Sequence, residues 1–92
     1  QAYQALGAAA AEGNVLDAKT RELIALAVAV TTRCESCIGV HAEEAVRAGA
    51  TEDEVAAALA MSIALNAGAA YTYSLHWKPI THKKHNLTII KG

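Results

Sequence analysis

Residues 34–41 read Cys-Glu-Ser-Cys-Ile-Gly-Val-His, which places two thiols and an imidazole within eight residues. Upstream, Glu22 lies inside an apolar run that favours a helix, and the full spacing is E-x11-C-x2-C-x3-H. Two cysteines at this spacing can close a disulfide or bind a metal. An acid and a base beside them indicate proton transfer. Glu22, Cys34, Cys37 and His41 are therefore the candidate site.

The chain on both sides of this stretch predicts helices. Apolar periodicity and capping signals favour four of them, over residues 2–12, 18–32, 35–48 and from a capping box at 51–54 onward. Pro79 stops the last helix. We expect an all-α fold, a compact domain of four to five helices over residues 1–78.

After Pro79 the composition changes. Residues 79–92 are expected to form a C-terminal tail, in which the β-branched stretch Leu87-Thr88-Ile89-Ile90 favours an extended segment. His76, His82 and His85 resemble a metal cluster, but histidines that titrate in solvent are the simpler interpretation. We assign no metal site.

Composition and charge limit the kinds of partner that we expect for this chain. The net charge of −1 argues against nucleic acid. We expect no membrane partner, because Ser62, Asn66 and Gly68 interrupt the longest uncharged stretch. No secretory signal is apparent and two cysteines are too few for a secreted disulfide scaffold, so we expect a cytoplasmic protein.

The apolar content predicts an oligomer. Hydrophobic residues make up 53% of the 92 residues, but aromatic residues only 4%, and alanine supplies much of the rest. Small side chains remove little apolar area from water, so a lone subunit of this size buries too little apolar area to be stable alone. We expect a homo-oligomer.

The thiols suit two-electron redox chemistry. A thiolate forms readily at a helix start, and Cys37 and His41 are four residues apart, on one helical face. Cys34 lies one turn earlier, close enough to condense with an oxidised Cys37. Glu22 reaches them if its helix packs antiparallel on theirs; a solvated position beside Lys19 and Arg21 is the alternative.

Other interpretations of the cysteines stay open. Zinc in a structural site normally takes four ligands, and only Cys34, Cys37 and His41 are local, so a metal would need a distant or partner ligand. Buried, inert thiols are the other alternative. We expect no bound cofactor.

The spacing of Glu22, Cys34, Cys37 and His41, followed by Ala48-Gly49-Ala50-Thr51, resembles the alkylhydroperoxidase AhpD family within the carboxymuconolactone decarboxylase superfamily. The helix entry Leu16 to Ala27 is similar too, and the resemblance covers about residues 4–75. It implies an all-helical trimer or hexamer whose cysteines cycle through a disulfide, reduced by an external dithiol such as a lipoyl group.

By this resemblance the four site residues match the thiol and proton-relay positions of a hydroperoxide-reducing enzyme. Ser36 departs from the best-known peroxidases, which carry a second histidine between the cysteines. Three hypotheses follow: a thiol peroxidase, a thiol–disulfide oxidoreductase without useful peroxide turnover, and a non-catalytic redox-sensing or ligand-binding module.

Overall fold

A computed structural model describes residues 1–13 and 15–77 of the chain. They form four α-helices and a closing 3₁₀ turn: α1 (Ala2–Ala11), α2 (Ala18–Thr32), α3 (Glu35–Arg47), α4 (Glu52–Ser74) and Leu75–Trp77. The predicted all-α fold is confirmed, since this part of the chain contains helices and turns and no strand. The predicted tail at 79–92, with its extended segment, lies outside the described residues.

Helix α2 begins where the sequence predicts. The Asp17 carboxylate accepts a hydrogen bond from the Thr20 backbone N–H at 2.8 Å, which is an N-cap. That bond stabilises the charged form, so the pKa of Asp17 is lowered from its ordinary value. The cap fixes the start of the helix that carries Glu22.

Helices α2 and α3 pack against each other and hold the small core. Leu26 and Ala29 of α2 and Ala45 of α3 are its buried apolar side chains within the described residues. Ser62 of α4 is buried too, and its hydroxyl donates to the Ala27 carbonyl at 3.0 Å. This bond satisfies a buried polar group and joins the first part of α4 to α2.

The turn between α3 and α4 combines two capping devices. The Thr51 hydroxyl accepts from the Glu54 N–H at 3.1 Å, and the Glu54 carboxylate accepts from the Thr51 N–H at 2.9 Å. The predicted capping box is thereby confirmed. The second carboxylate oxygen of Glu54 lies 2.8 Å from Lys19 Nζ, so the start of α4 is also tied to the start of α2.

The chain divides into two compact units, Gln1–Ser62 and Ile63–Gly92, and the whole candidate site belongs to the first. In the second unit the rings of Tyr73 and His76 stack with centroids 4.8 Å apart. The His76 ring nitrogen Nδ1 lies 3.1 Å from the Tyr73 carbonyl, which accepts its hydrogen. The domain boundary expected at 78/79 stays a prediction.

Many large apolar side chains are exposed in the single chain. No residue of α1 is buried, and Ile24, Val28, Val40 and Met61 are about half exposed or more. The stretch Glu52–Trp77 is long and apolar enough to cross a membrane, judged by length and composition alone. Core helices of proteins outside membranes can meet the same two criteria. The expectation of no membrane partner stays a prediction.

Candidate functional site

The candidate site is built at the turn between α2 and α3. The Arg33 N–H donates to the Val30 carbonyl at 3.2 Å, and the Cys34 N–H donates to the Ala29 carbonyl at 3.0 Å. With Arg33 in the left-handed region (φ 59°, ψ 43°), these two bonds form a Schellman motif. The motif ends α2 and turns the chain directly into α3, so Cys34 becomes the N-cap residue of α3.

Cys34 and Cys37 form a disulfide, with their Cα atoms 5.2 Å apart. The predicted pairing is therefore confirmed for the oxidised form. The bond spans the N-cap and first turn of α3, where backbone N–H groups and the helix dipole favour negative charge on sulfur. The Ser36 hydroxyl lies 3.7 Å from Cys34 Sγ and is the donor, because a disulfide sulfur carries no hydrogen.

The packing of α2 on α3 brings Glu22 to His41. Glu22 Oε1 lies 2.7 Å from His41 Nδ1, and the two side chains are 26% and 29% exposed. The alternative position for Glu22, in solvent beside two cations, is wrong. Those cations are engaged elsewhere, since Lys19 pairs with Glu54 and Arg21 donates to the Leu16 carbonyl at 2.5 Å.

The Glu22–His41 bond fixes the role of each imidazole nitrogen. An ionised carboxylate only accepts hydrogen bonds, so Nδ1 of a neutral His41 carries the hydrogen and Nε2 keeps a lone pair. A base oriented by a carboxylate, next to a nucleophile, is the arrangement that activates thiols and hydroxyls in many enzymes. His41 can take a proton at Nε2 while Glu22 holds the ring.

A cavity of about 300 Å³ opens beside this pair. Cys37 and His41 both line it, whereas Cys34 does not, so Cys37 is the cysteine beside the space for a small ligand. The rest of the wall is mostly small and apolar and comes from α1 and α2: Tyr3, Ala25, Val28, Ala29 and Thr32. Pockets of this size accept small organic molecules.

These five wall residues were not among the candidate residues predicted from the sequence. Four of them could have been found, because Ala25, Ala29 and Thr32 follow Glu22 by three, seven and ten residues, which is one face of a helix. Val28 adjoins the same face. Tyr3 comes from a different helix, and nothing in the spacing connects it to the cysteines.

The described residues contain no group of three or more His, Cys, Asp or Glu side chains that could hold a metal. The two local sulfurs are bonded to each other instead. Of the three histidines that resemble a metal cluster in the sequence, His76 is engaged with Tyr73, while His82 and His85 lie outside the described part of the chain.

Comparison with known proteins identifies the family of the chain. The sequence profile of the carboxymuconolactone decarboxylase family matches residues 1–77. Because this match covers most of the chain, the chain belongs to that family.

Three similar proteins have names that describe them as uncharacterized. One from Haemophilus influenzae is 91% identical over 75 residues, covering 82% of this chain and 66% of the relative. "Uncharacterized protein 4 in cox locus" from Paracoccus denitrificans is 38% identical over 73 residues, covering 79% and 66%. One from Cupriavidus necator is 36% identical over 73 residues, covering 79% and 65%. The chain thus spans just under two thirds of these relatives.

Proposed function

We propose that the protein is a thiol-dependent peroxidase that reduces organic hydroperoxides through a Cys34–Cys37 disulfide cycle. The observation that carries the proposal is the shared cavity of Cys37 and His41, with Glu22 bonded to Nδ1 of the imidazole at 2.7 Å. A nucleophile, a base and an orienting carboxylate beside one small-molecule cavity are the parts that this reaction needs.

In the proposed first step the Cys37 thiolate attacks the outer oxygen of a hydroperoxide. A sulfur–oxygen bond forms, the oxygen–oxygen bond breaks, and Cys37 is oxidised to a sulfenic acid. His41 Nε2 first takes the proton of the Cys37 thiol, and the departing alkoxide then takes this proton from Nε2 and leaves as an alcohol. His41 is suited to this role because its Nε2 is the nitrogen that Glu22 does not occupy.

In the second step Cys34 attacks the sulfenic sulfur of Cys37. The disulfide forms and hydroxide leaves as water, taking up the proton that the Cys34 thiol loses. An external dithiol then reduces the disulfide by exchange and is itself oxidised to a disulfide. Over one cycle a hydroperoxide and a dithiol become an alcohol, water and the oxidised dithiol. A lipoyl group is the reductant we propose, with no cofactor held in the protein.

We further propose that the working form is a cytoplasmic homo-oligomer, a trimer or hexamer. The support is the small core of the single chain. Within the described residues only Leu26, Ala29 and Ala45 are buried apolar side chains, while Ile24 and Val28 on α2 are about half exposed. Apolar area left in water by one subunit is the driving force for association with another.

A thiol–disulfide oxidoreductase is the second candidate. Ser36 favours it, because a serine hydroxyl at 3.7 Å from Cys34 Sγ cannot transfer protons near neutral pH as an imidazole does. Such an enzyme would exchange disulfides with thiols but consume hydroperoxide slowly. A non-catalytic redox-sensing module would do neither at a useful rate.

Peroxide consumption with dihydrolipoamide as reductant separates these candidates. The proposal expects turnover of cumene or tert-butyl hydroperoxide by the wild-type protein and none above background by Cys37→Ser. Glu43→Gln is a matched control for Glu22→Gln, because Glu43 is an exposed carboxylate on α3 away from the cavity. Dithiol exchange without hydroperoxide consumption would support the oxidoreductase instead. Inactivity in both assays would support the non-catalytic module.

A further inference from the structure

The turn before Cys34 uses a residue that is unfavourable for its backbone conformation. Positive φ angles occur at Gly13 (94°), Gly49 (98°) and Arg33 (59°) within the described residues, so Arg33 is the single non-glycine case there. Glycine adopts this region freely, whereas a side chain with a Cβ atom meets the following carbonyl. A strained non-glycine residue at a functional site is a reason to ask what its side chain contributes.

The end of α3 provides an internal comparison. Gly49 donates to the Val46 carbonyl and Ala50 to the Ala45 carbonyl, both at 2.9 Å, in the same pair of bonds that Arg33 and Cys34 make. Both helix ends need a residue with a positive φ angle, and at the end of α3 this residue is a glycine. The turn therefore does not need arginine for its geometry.

Arg33 is also distinguished by its charge. The described part of the chain contains four Lys and Arg residues, and three of them engage other groups. Lys19 pairs with Glu54, Arg47 pairs with Glu44, and Arg21 donates to a backbone carbonyl. The exposed Arg33 guanidinium makes no hydrogen bond or ion pair within residues 1–13 and 15–77. Arg33 directly precedes Cys34 of the disulfide in the chain.

We propose that Arg33 is an electrostatic positioning residue for the thiol pair, whose guanidinium favours the thiolate of Cys34 over its thiol. This inference rests on the proposed disulfide cycle. In that cycle Cys34 acts as a thiolate twice: it attacks the sulfenic acid of Cys37, and it leaves when an external dithiol attacks Cys37 Sγ. In the second event the Cys34–Cys37 bond breaks and a mixed disulfide with the reductant forms, so a more stable Cys34 thiolate leaves faster.

The effect is modest because the site is open to solvent. Opposite unit charges roughly 7 Å apart in water change an ionisation equilibrium about threefold. The start of α3 acts in the same direction, and Glu35, in the first turn of α3, acts against it. His41, which is bonded to Glu22, lines the cavity together with Cys37, and this pair is common to all variants proposed below.

The test measures the ionisation of Cys34 itself. In a Cys37→Ser background Cys34 is the single thiol, and its thiolate absorbance is followed against pH with Arg33, Arg33→Gly, Arg33→Asn or Arg33→Lys. We expect Gly and Asn to reduce the thiolate fraction at a fixed pH below the midpoint about threefold, and Lys to restore it. In the two-cysteine protein, Arg33→Gly should shift equilibrium with glutathione about threefold toward the disulfide.

The midpoint of thermal unfolding separates the effect of the Arg33 charge from the effect of its backbone conformation. Arg33→Gly removes the backbone conflict, so its midpoint should be no lower than that of the wild type while the thiol ionises less readily. If that variant folds poorly, Arg33→Asn carries the test, because Asn tolerates the left-handed region and is neutral. Unchanged titration of Cys34 in the neutral variants, or a loss that Lys does not restore, would overturn the proposal. Neither measurement uses hydroperoxide, so an inactive wild type would reject the peroxidase function without deciding this inference.

Discussion

The two turns that flank α3 solve the same backbone problem and differ in what surrounds them. At both, a pair of backbone bonds closes a helix around a residue with positive φ. The α3–α4 turn has Gly49, a capping box and the Lys19–Glu54 ion pair. The α2–α3 turn has Arg33 and the disulfide.

The difference separates two kinds of contribution. Around Gly49 each device satisfies helix-end groups or joins helices, so changes there should alter the free energy of unfolding and leave the chemistry intact. Around Arg33 the residues that could react are Cys34 and Cys37. The side chain of Cys34, the N-cap residue of α3, makes no capping hydrogen bond, and Ser, Thr, Asp or Asn would cap the helix better. Changes there should alter the chemistry far more than the stability.

The largest effect is expected from the cysteines. Cys37→Ser should reduce hydroperoxide consumption to background, because Cys37 lines the cavity and is the proposed nucleophile. Cys34→Ser should leave one round of oxidation and trap a sulfenic acid on Cys37, detectable by dimedone labelling and mass spectrometry. A sulfenic acid trapped on Cys34 in Cys37→Ser would reverse the two roles.

The proton-transfer pair should come next. Glu22→Gln and His41→Gln should each lower kcat/KM for hydroperoxide by a factor of about 10²–10⁴, the usual contribution of general acid–base catalysis. The oligomer and the helical circular dichroism signal should be retained. The matched variant Glu43→Gln should keep wild-type turnover. Near-wild-type activity in Glu22→Gln would remove Glu22 from the site and leave the two cysteines and His41.

A smaller effect, now on stability alone, is expected at Gly49. Gly49→Ala should lower the free energy of unfolding by about 1–2 kcal/mol, the usual cost of the left-handed region for a residue with a Cβ atom. A Cβ added there meets no atom within 4 Å, so the strain lies in the backbone. Gly39→Ala, in the interior of α3 and also in open space, should instead stabilise by about 0.5–1 kcal/mol. Denaturant unfolding measures the change in the free energy of unfolding for both variants. Changes of the same sign would show that the left-handed backbone at Gly49 is not the source of the difference.

The smallest effect concerns the ion pair. The hydrogen bond from Lys19, followed by the Thr51 backbone bond, lowers the pKa of Glu54, and Glu54 raises the pKa of Lys19. A lowered carboxyl pKa contributes stability that is present above its unfolded value and is lost as pH falls through the folded value. A raised lysine pKa contributes stability that is present below its unfolded value and is lost as pH rises through the folded value.

The pair therefore stabilises the fold between roughly pH 4.3 and 10.4, the unfolded values of the two groups. Glu54→Gln should have a lower thermal midpoint than wild type at neutral pH, and the difference should vanish in acid below the folded pKa of Glu54. The double variant with Lys19→Met should lose little more than the single variant. A difference between wild type and Glu54→Gln that persists in acid would show that the carboxylate charge is not its source.

Much of the fold could be predicted because its signals are local. The Asp17 cap and the Thr51–Glu54 box each involve residues three apart, so the helix starts follow from the sequence. The Cys34–Cys37 pairing is local in the same way. Arg33 is different, since nothing in its residue type indicates a left-handed conformation.

The site was harder to predict where it depends on packing. The Glu22–His41 bond joins residues nineteen positions apart, and from the residues alone the carboxylate could equally have been solvated beside Lys19 and Arg21. Only the crossing of α2 and α3 decides between these positions. The contribution of Tyr3 to the cavity depends in turn on where α1 lies, which no spacing in the sequence specifies.

The central claim, that hydroperoxide oxidises the Cys34–Cys37 pair, is tested most directly by a single turnover without reductant. Fully reduced protein is mixed with a limiting organic hydroperoxide, and the peroxide consumed is compared with the thiols lost and the disulfide mapped by mass spectrometry. We expect one Cys34–Cys37 disulfide and one alcohol for each hydroperoxide consumed, at a rate faster than in Cys37→Ser. Hydroperoxide consumed no faster than in Cys37→Ser, with both thiols still free, would contradict it.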